Sequence, residues 1–290
     1  MRRFWAIAKA TAEELLDDPL SLLVLLSSAS LCIVAPTLHY HQFGEVTRMA
    51  RDAGFSSLFL GGIVYALFGC VRSVRRELES RTAELALSHA VGRGAFLCAK
   101  FAGVMLSYAL FAATTLSLTL VMVRGAAIGG AAASGDVPKM HGVSVALASA
   151  AVVVSPAIAA ALNRFRRSRF VLSANLSMLA LSVAASFYSF DLSLASRYLP
   201  VVFCASLPAV FVSSAALAAA VRLKANAAAS VGAVCAALFI PFTGSFYIPE
   251  ALAKGGSLGW GYAFLALAAL LPWIAAALVA GTALMRDMEV

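Results

Sequence analysis

Glu79, Arg81, Thr82 and Glu84, with Arg75 upstream and Arg93 downstream, are the densest set of chemically capable side chains in this sequence. Opposite charges and a hydroxyl at such spacing suit recognition of a partner surface rather than bond making. Ion pairs there would set a partner's orientation more than its affinity. On a helix, Arg75 can reach Glu79 and Glu77 can reach Arg81 as i,i+4 pairs on the wet side. The plain alternative is a solvated segment with local ion pairs worth tenths of a kcal/mol each.

Two further groups have chemical potential. Asn175, Ser182, Ser186 and Ser189 fall on one helical face within an apolar run. Such a face can line a translocation path, or can join helices by hydrogen bonds among small residues, which is the expected role. His39-x-His41 supplies half a metal site without an evident third ligand, so a wet loop is expected. No G-x-x-x-x-G-K-[ST] phosphate loop is present, so ATP hydrolysis would need another chain. Neither H-E-x-x-H nor a histidine or carboxylate pair occurs inside an apolar run. A serine there lacks an activating base, which disfavours an intramembrane enzyme. No cofactor and no metal are expected in this chain.

The elements that carry these residues follow from composition. Of the 290 residues 62% are apolar and 12% charged, and the mean hydropathy is +0.90. Several runs reach the roughly 18–20 residues that cross a hydrocarbon core. The expected fold is all-α: a polytopic transmembrane helical bundle forming a single integral membrane domain over residues 1–290. The net charge of +8 flanks apolar runs, as membrane topology signals do, so nucleic acid is not an expected partner. Cys32, Cys70, Cys98, Cys204 and Cys235 lie in or beside apolar runs and read as small core residues. Glu13, Glu14, Asp17 and Asp18 precede the first apolar run, a pattern unlike a signal peptide.

In order, residues 1–18 predict an interfacial helix with Phe4, Trp5, Ala8, Ala12, Leu15 and Leu16 on one face. Asp18-Pro19 ends it. Spans are expected at about 20–38, 54–71, 96–123, 143–162, 170–190, 201–221, 225–242 and 259–284. Residues 39–53 read as a polar loop, and a short loop ends at Pro200. Between spans two and three, Val71, Val74, Leu78 and Leu85 form one apolar stripe of a surface helix. Pro156, Pro208, Pro241 and Pro272 fall in apolar runs, where kinked packing is expected. With the N-terminus in the cytoplasm, eight spans put Arg2, Arg3, Lys9, Arg72, Arg75, Arg76, Arg81, Arg93 and Lys100 inside. Arg164, Arg166, Arg167, Arg169, Arg222, Lys224 and Arg286 join them, sixteen of 22 basic residues. A six-span version leaves fourteen inside. Both leave the C-terminus inside.

From Glu79 the order Glu79, Thr82, Leu87-Ser88, Val91, Arg93, Phe96-Leu97, Lys100 and Gly103 resembles the cytoplasmic loop of ABC-2 type permeases. That loop runs roughly E-x-x-x-T-x-x-x-L-L-S-x-P-V-x-R-x-x-F-L-x-x-K-x-x-G. The similarity extends upstream through Gly44-Glu45, Arg48 and Asp52-Ala-Gly54, and covers about the first 110 residues. Ala90 replaces the usual proline, Arg81 stands where glycine is common, and spans beyond the fifth exceed the usual six-helix core. The resemblance implies a permease that dimerises, with itself or a paralogue, in a bacterial inner membrane. It also implies docking of a separate ATP-binding subunit through segment 72–95 and the N-terminal surface helix, ATP being bound by that partner. An exporter is implied, with membrane lipid around it. The competing expectation is a passive channel or a non-transport membrane scaffold.

Overall fold

The computed structural model describes residues 2–38, 45–79, 92–132, 140–166, 169–188, 192–247 and 259–286. Those residues form helices and no strand. In chain order the helices are α1 (Arg2–Leu16), α2 (Pro19–Thr37), α3 (Val46–Glu79), α4 (Arg93–Ala132) and α5 (Gly142–Arg166). Then come α6 (Phe170–Tyr188), α7 (Leu192–Arg222), α8 (Ala225–Tyr247) and α9 (Trp260–Arg286). Seven of them, all but α1 and α8, are long and apolar enough to cross a bilayer. The architecture is that of a polytopic helical membrane protein.

Several helices run past the apolar runs that predicted them. α3 has 34 residues, α4 has 40 and α7 has 31. At about 1.5 Å per residue these are rods of roughly 51, 60 and 46 Å. Residues 46–53, expected in a loop, are the first turns of α3. Arg48 meets Glu45 at 3.0 Å and Asp52 at 3.7 Å, spacings of three and four that favour a helix in water. Likewise residues 192–200, expected in a loop, open α7. The α1–α2 break follows the sequence: the Asp18 carboxylate accepts from the Leu20 amide at 3.0 Å, and Pro19 takes the first helical position.

The described chain falls into two compact units. One comprises Met1–Leu15, Gly62–Ala109 and Phe203–Val290. Its apolar centre joins Leu207 of α7 to Leu270 and Ile274 of α9, with Phe101, Phe203, Phe211 and Leu267 around them. The other comprises Leu16–Gly61 and Leu110–Val202. There α5 and α6 form a closely packed hairpin that also touches α2. Ser177 on α6 donates to the Ser155 carbonyl of α5 at 3.1 Å. Gly54 of α3 lets α4 approach until a Cβ would stand 2.3 Å from the Thr119 side chain. Buried hydroxyls in this unit donate back to their own helices, Ser57 to Ala53 at 2.7 Å and Thr119 to Thr115 at 2.7 Å. Apolar surroundings therefore hold no unsatisfied hydroxyl at these positions. Cys32, Cys70 and Cys204 are buried, whereas Cys98 is exposed and Cys235 partly so.

Candidate functional site

The charged end of α3 is built on a buried stripe. Val71 and Val74 are 3% and 1% exposed, so the helix keeps its apolar face covered as it leaves the apolar run. Its opposite side carries Arg72 and Arg76, both exposed. Arg76 reaches Glu14 of α1 at 3.1 Å. Both side chains are partly in water, so the contact orients more than it stabilises.

The carboxylate of Glu77 meets the Lys100 ammonium of α4 at 2.5 Å. Lys100 is 1% exposed, which makes it one of the largest fully buried side chains in the chain. Glu77 reaches across to α4, where an unpaired buried ammonium would be expensive; the expected Glu77–Arg81 pair lies outside the described residues. Phe96 and Leu97, one turn earlier on α4, are also fully packed.

α1 is seated against this pair of helices. Ala8, Thr11, Ala12 and Leu15 are buried, whereas Trp5 is 63% exposed. The face expected to lie in the membrane is thus divided, its small residues taken up by protein and its tryptophan left outside. Gly103 makes the seat: a Cβ there would stand 2.5 Å from the Ala8 carbonyl oxygen and 2.6 Å from Thr11. Backbone cannot yield to such an intrusion, so α1 and α4 approach this closely only because position 103 lacks a side chain. Thr11 satisfies its hydroxyl on the Ile7 carbonyl at 2.9 Å.

In the other unit, Asn175 of α6 donates through Nδ2 to the Leu16 carbonyl at 2.7 Å and to Ser21 Oγ at 3.2 Å. Leu16 ends α1, where helix carbonyls lack intrahelical partners. Arg169 reaches Asp17 at 3.8 Å in the same turn. Ser182 and Ser186 bond the Leu179 and Val183 carbonyls of their own helix at 2.9 and 2.7 Å. The face of α6 carrying these residues therefore bonds to helix backbone at all three positions.

Of the expected docking residues, Arg75 is half-buried on α3 and Arg93 half-buried at the start of α4. Glu79 closes α3, and Arg81, Thr82 and Glu84 lie outside the described residues, as do His39, His41 and Ser189. Sequence spacing missed Lys100–Glu77, Arg76–Glu14 and Asn175–Leu16, because each joins helices far apart in the chain. The available signals were Lys100 and Gly103, three residues apart near the start of a largely apolar helix. What these contacts do is mechanical: they fix α1, the end of α3 and the start of α4 in register. No family model matches this sequence, and comparisons with characterised proteins and with solved structures find no match either.

Proposed function

We propose that this chain is the permease subunit of an ATP-driven ABC-2 type transporter, an exporter that works with a separate ATP-binding subunit. The observation that carries the reading is the segment from Glu79 to Gly103. From Thr82 onward its spacing resembles the ABC-2 loop, and its described members do defined work: Phe96 and Leu97 pack α4, Lys100 pairs with Glu77, and Gly103 seats α1. A segment anchored at both ends in this way can pass a push from a bound ATPase into α3 and α4. The hydroxyl and charged residues Glu79, Arg81, Thr82 and Glu84, with Arg75 and Arg93, form the docking surface, and α1, which meets α3 through Glu14 and Arg76, is the interfacial helix.

In this reading the chain crosses a bacterial inner membrane eight times, with α8 as the added span. Its 23 residues extend about 34 Å at 1.5 Å per residue, enough to cross. The distribution of basic residues then places both termini and residues 72–95 in the cytoplasm. A second permease copy, identical or paralogous, completes the transporter.

Purification from the native membrane in mild detergent tests the reading. A P-loop ATPase is expected to remain bound at equal stoichiometry, and Glu79→Lys with Arg81→Glu is expected to release it. An intact, monodisperse protein without an ATPase would instead support a passive channel or scaffold. An ATPase that stays bound to the charge-reversed variant would move the docking surface elsewhere.

A further inference from the structure

We propose that the adjoining ends of α5 and α6 bind the headgroup of an anionic phospholipid, with Arg164 and Arg169 as the anion-binding side chains. Residues 163–169 hold four arginines and no acid. Arg164 is exposed and makes no ion pair with any described residue. Among the described residues Arg169 has one ion pair, with Asp17 at 3.8 Å, and its side chain is still 62% exposed. Each guanidinium therefore keeps donors for a phosphodiester, whose oxygens match the planar fork.

Position on the helices identifies the ligand as a lipid. Arg164 lies eleven residues from Val153, three turns along the same face of α5, and Val153 is 72% exposed. Arg169 leads by seven residues to Leu176 and by eighteen to Phe187, along one face of α6, and these are 44% and 68% exposed. Both arginines thus end apolar stripes that this unit leaves open to acyl chains. Phe165, 83% exposed, and Phe170, 37% exposed, stand at the same level. Their exposed rings add apolar surface for the upper part of an acyl chain. One lipid laid along a stripe brings its phosphate to an arginine. The site requires only that α5 and α6 cross a bilayer, so it stands or falls separately from the transporter reading.

Native mass spectrometry of the full chain, titrated with phosphatidylglycerol or phosphatidylcholine, tests the site. The wild type is expected to retain phosphatidylglycerol in preference. Arg164→Gln with Arg169→Gln should lower that retention by roughly fivefold per arginine, leaving phosphatidylcholine unchanged. Asp17→Asn breaks the Arg169 contact yet keeps its charge, so retention should match or exceed wild type. If the double variant does not remain monodisperse, Arg164→Gln alone decides, since Arg164 is exposed and makes no ion pair with any described residue. Equal retention of the two lipids by the wild type, or undiminished retention by Arg164→Gln, would overturn the proposal. So would a dimer that dissociates on Phe165→Ala with lipid retention unchanged, which would assign the patch to a second copy of the chain.

Discussion

A lysine that is 1% exposed inside a helical bundle needs a partner for its ammonium, and Glu77 provides one. Removing one member of such a pair strands the other, whereas replacing both with apolar residues of similar size is often neutral. Lys100→Met is therefore expected to lower unfolding stability in detergent by about 3 kcal/mol. Glu77→Leu added to it should recover most of the loss. A double variant no better than the single one would mean that the two groups are not coupled. Asn175 sets a second test at this scale. Asn175→Ala removes the donor to the Leu16 carbonyl and should cost about 1–2 kcal/mol. Ser182→Ala and Ser186→Ala, which lose only bonds within their own helix, should stay within about 0.5 kcal/mol. Equal losses at all three positions would contradict the distinction drawn from their partners.

At the scale of elements, α1 depends on one missing side chain. Gly103→Val would drive a Cβ into the Ala8 carbonyl, with an expected cost of about 1–3 kcal/mol. Faster hydrogen exchange at the amides of Thr11 and Ala12 would locate the damage in α1. Gly130→Ala, on the same helix with nothing within 4 Å of the added carbon, should be harmless or slightly stabilising. The contrast between positions 103 and 130 is invisible in sequence, since both are glycines in an apolar helix. Seven of the eight expected spans fall on helices long and apolar enough to cross, the one at 225–242 being the exception, because a crossing helix needs a long apolar run, and such runs are local. Helix ends were less legible: α3 and α7 begin in stretches polar or proline-marked enough to read as loops, and local ion pairs carry α3 onward. α1 was legible as amphipathic, but periodicity cannot distinguish a face covered by lipid from one covered by a neighbouring helix. The expected docking residues were read from a charge pattern and a family resemblance. The Glu77–Lys100, Arg76–Glu14 and Asn175–Leu16 contacts join residues more than twenty positions apart, beyond the reach of any helical spacing.

For the whole molecule, the topology makes a simple demand. Single cysteines placed at Arg48 and Arg164, in a background where exposed Cys98 is serine, should react with a membrane-impermeant maleimide from opposite sides. Arg48→Cys is expected to label in intact cells and Arg164→Cys only in inverted vesicles. Labelling from the same side would overturn the eight-span orientation. The same long helices carry a consequence for the lipid itself. In α3 the uncharged stretch between Asp52 and Arg72 covers nineteen residues, and in α4 the one between Lys100 and Arg124 covers twenty-three. At 1.5 Å per residue these are about 29 and 35 Å, so a core near 30 Å fits α3 upright and α4 only when tilted by roughly 30°. Two helices of unequal apolar length, held together at Glu77–Lys100 and again where Gly54 meets Thr119, are expected to make the surrounding bilayer adjust its thickness to them.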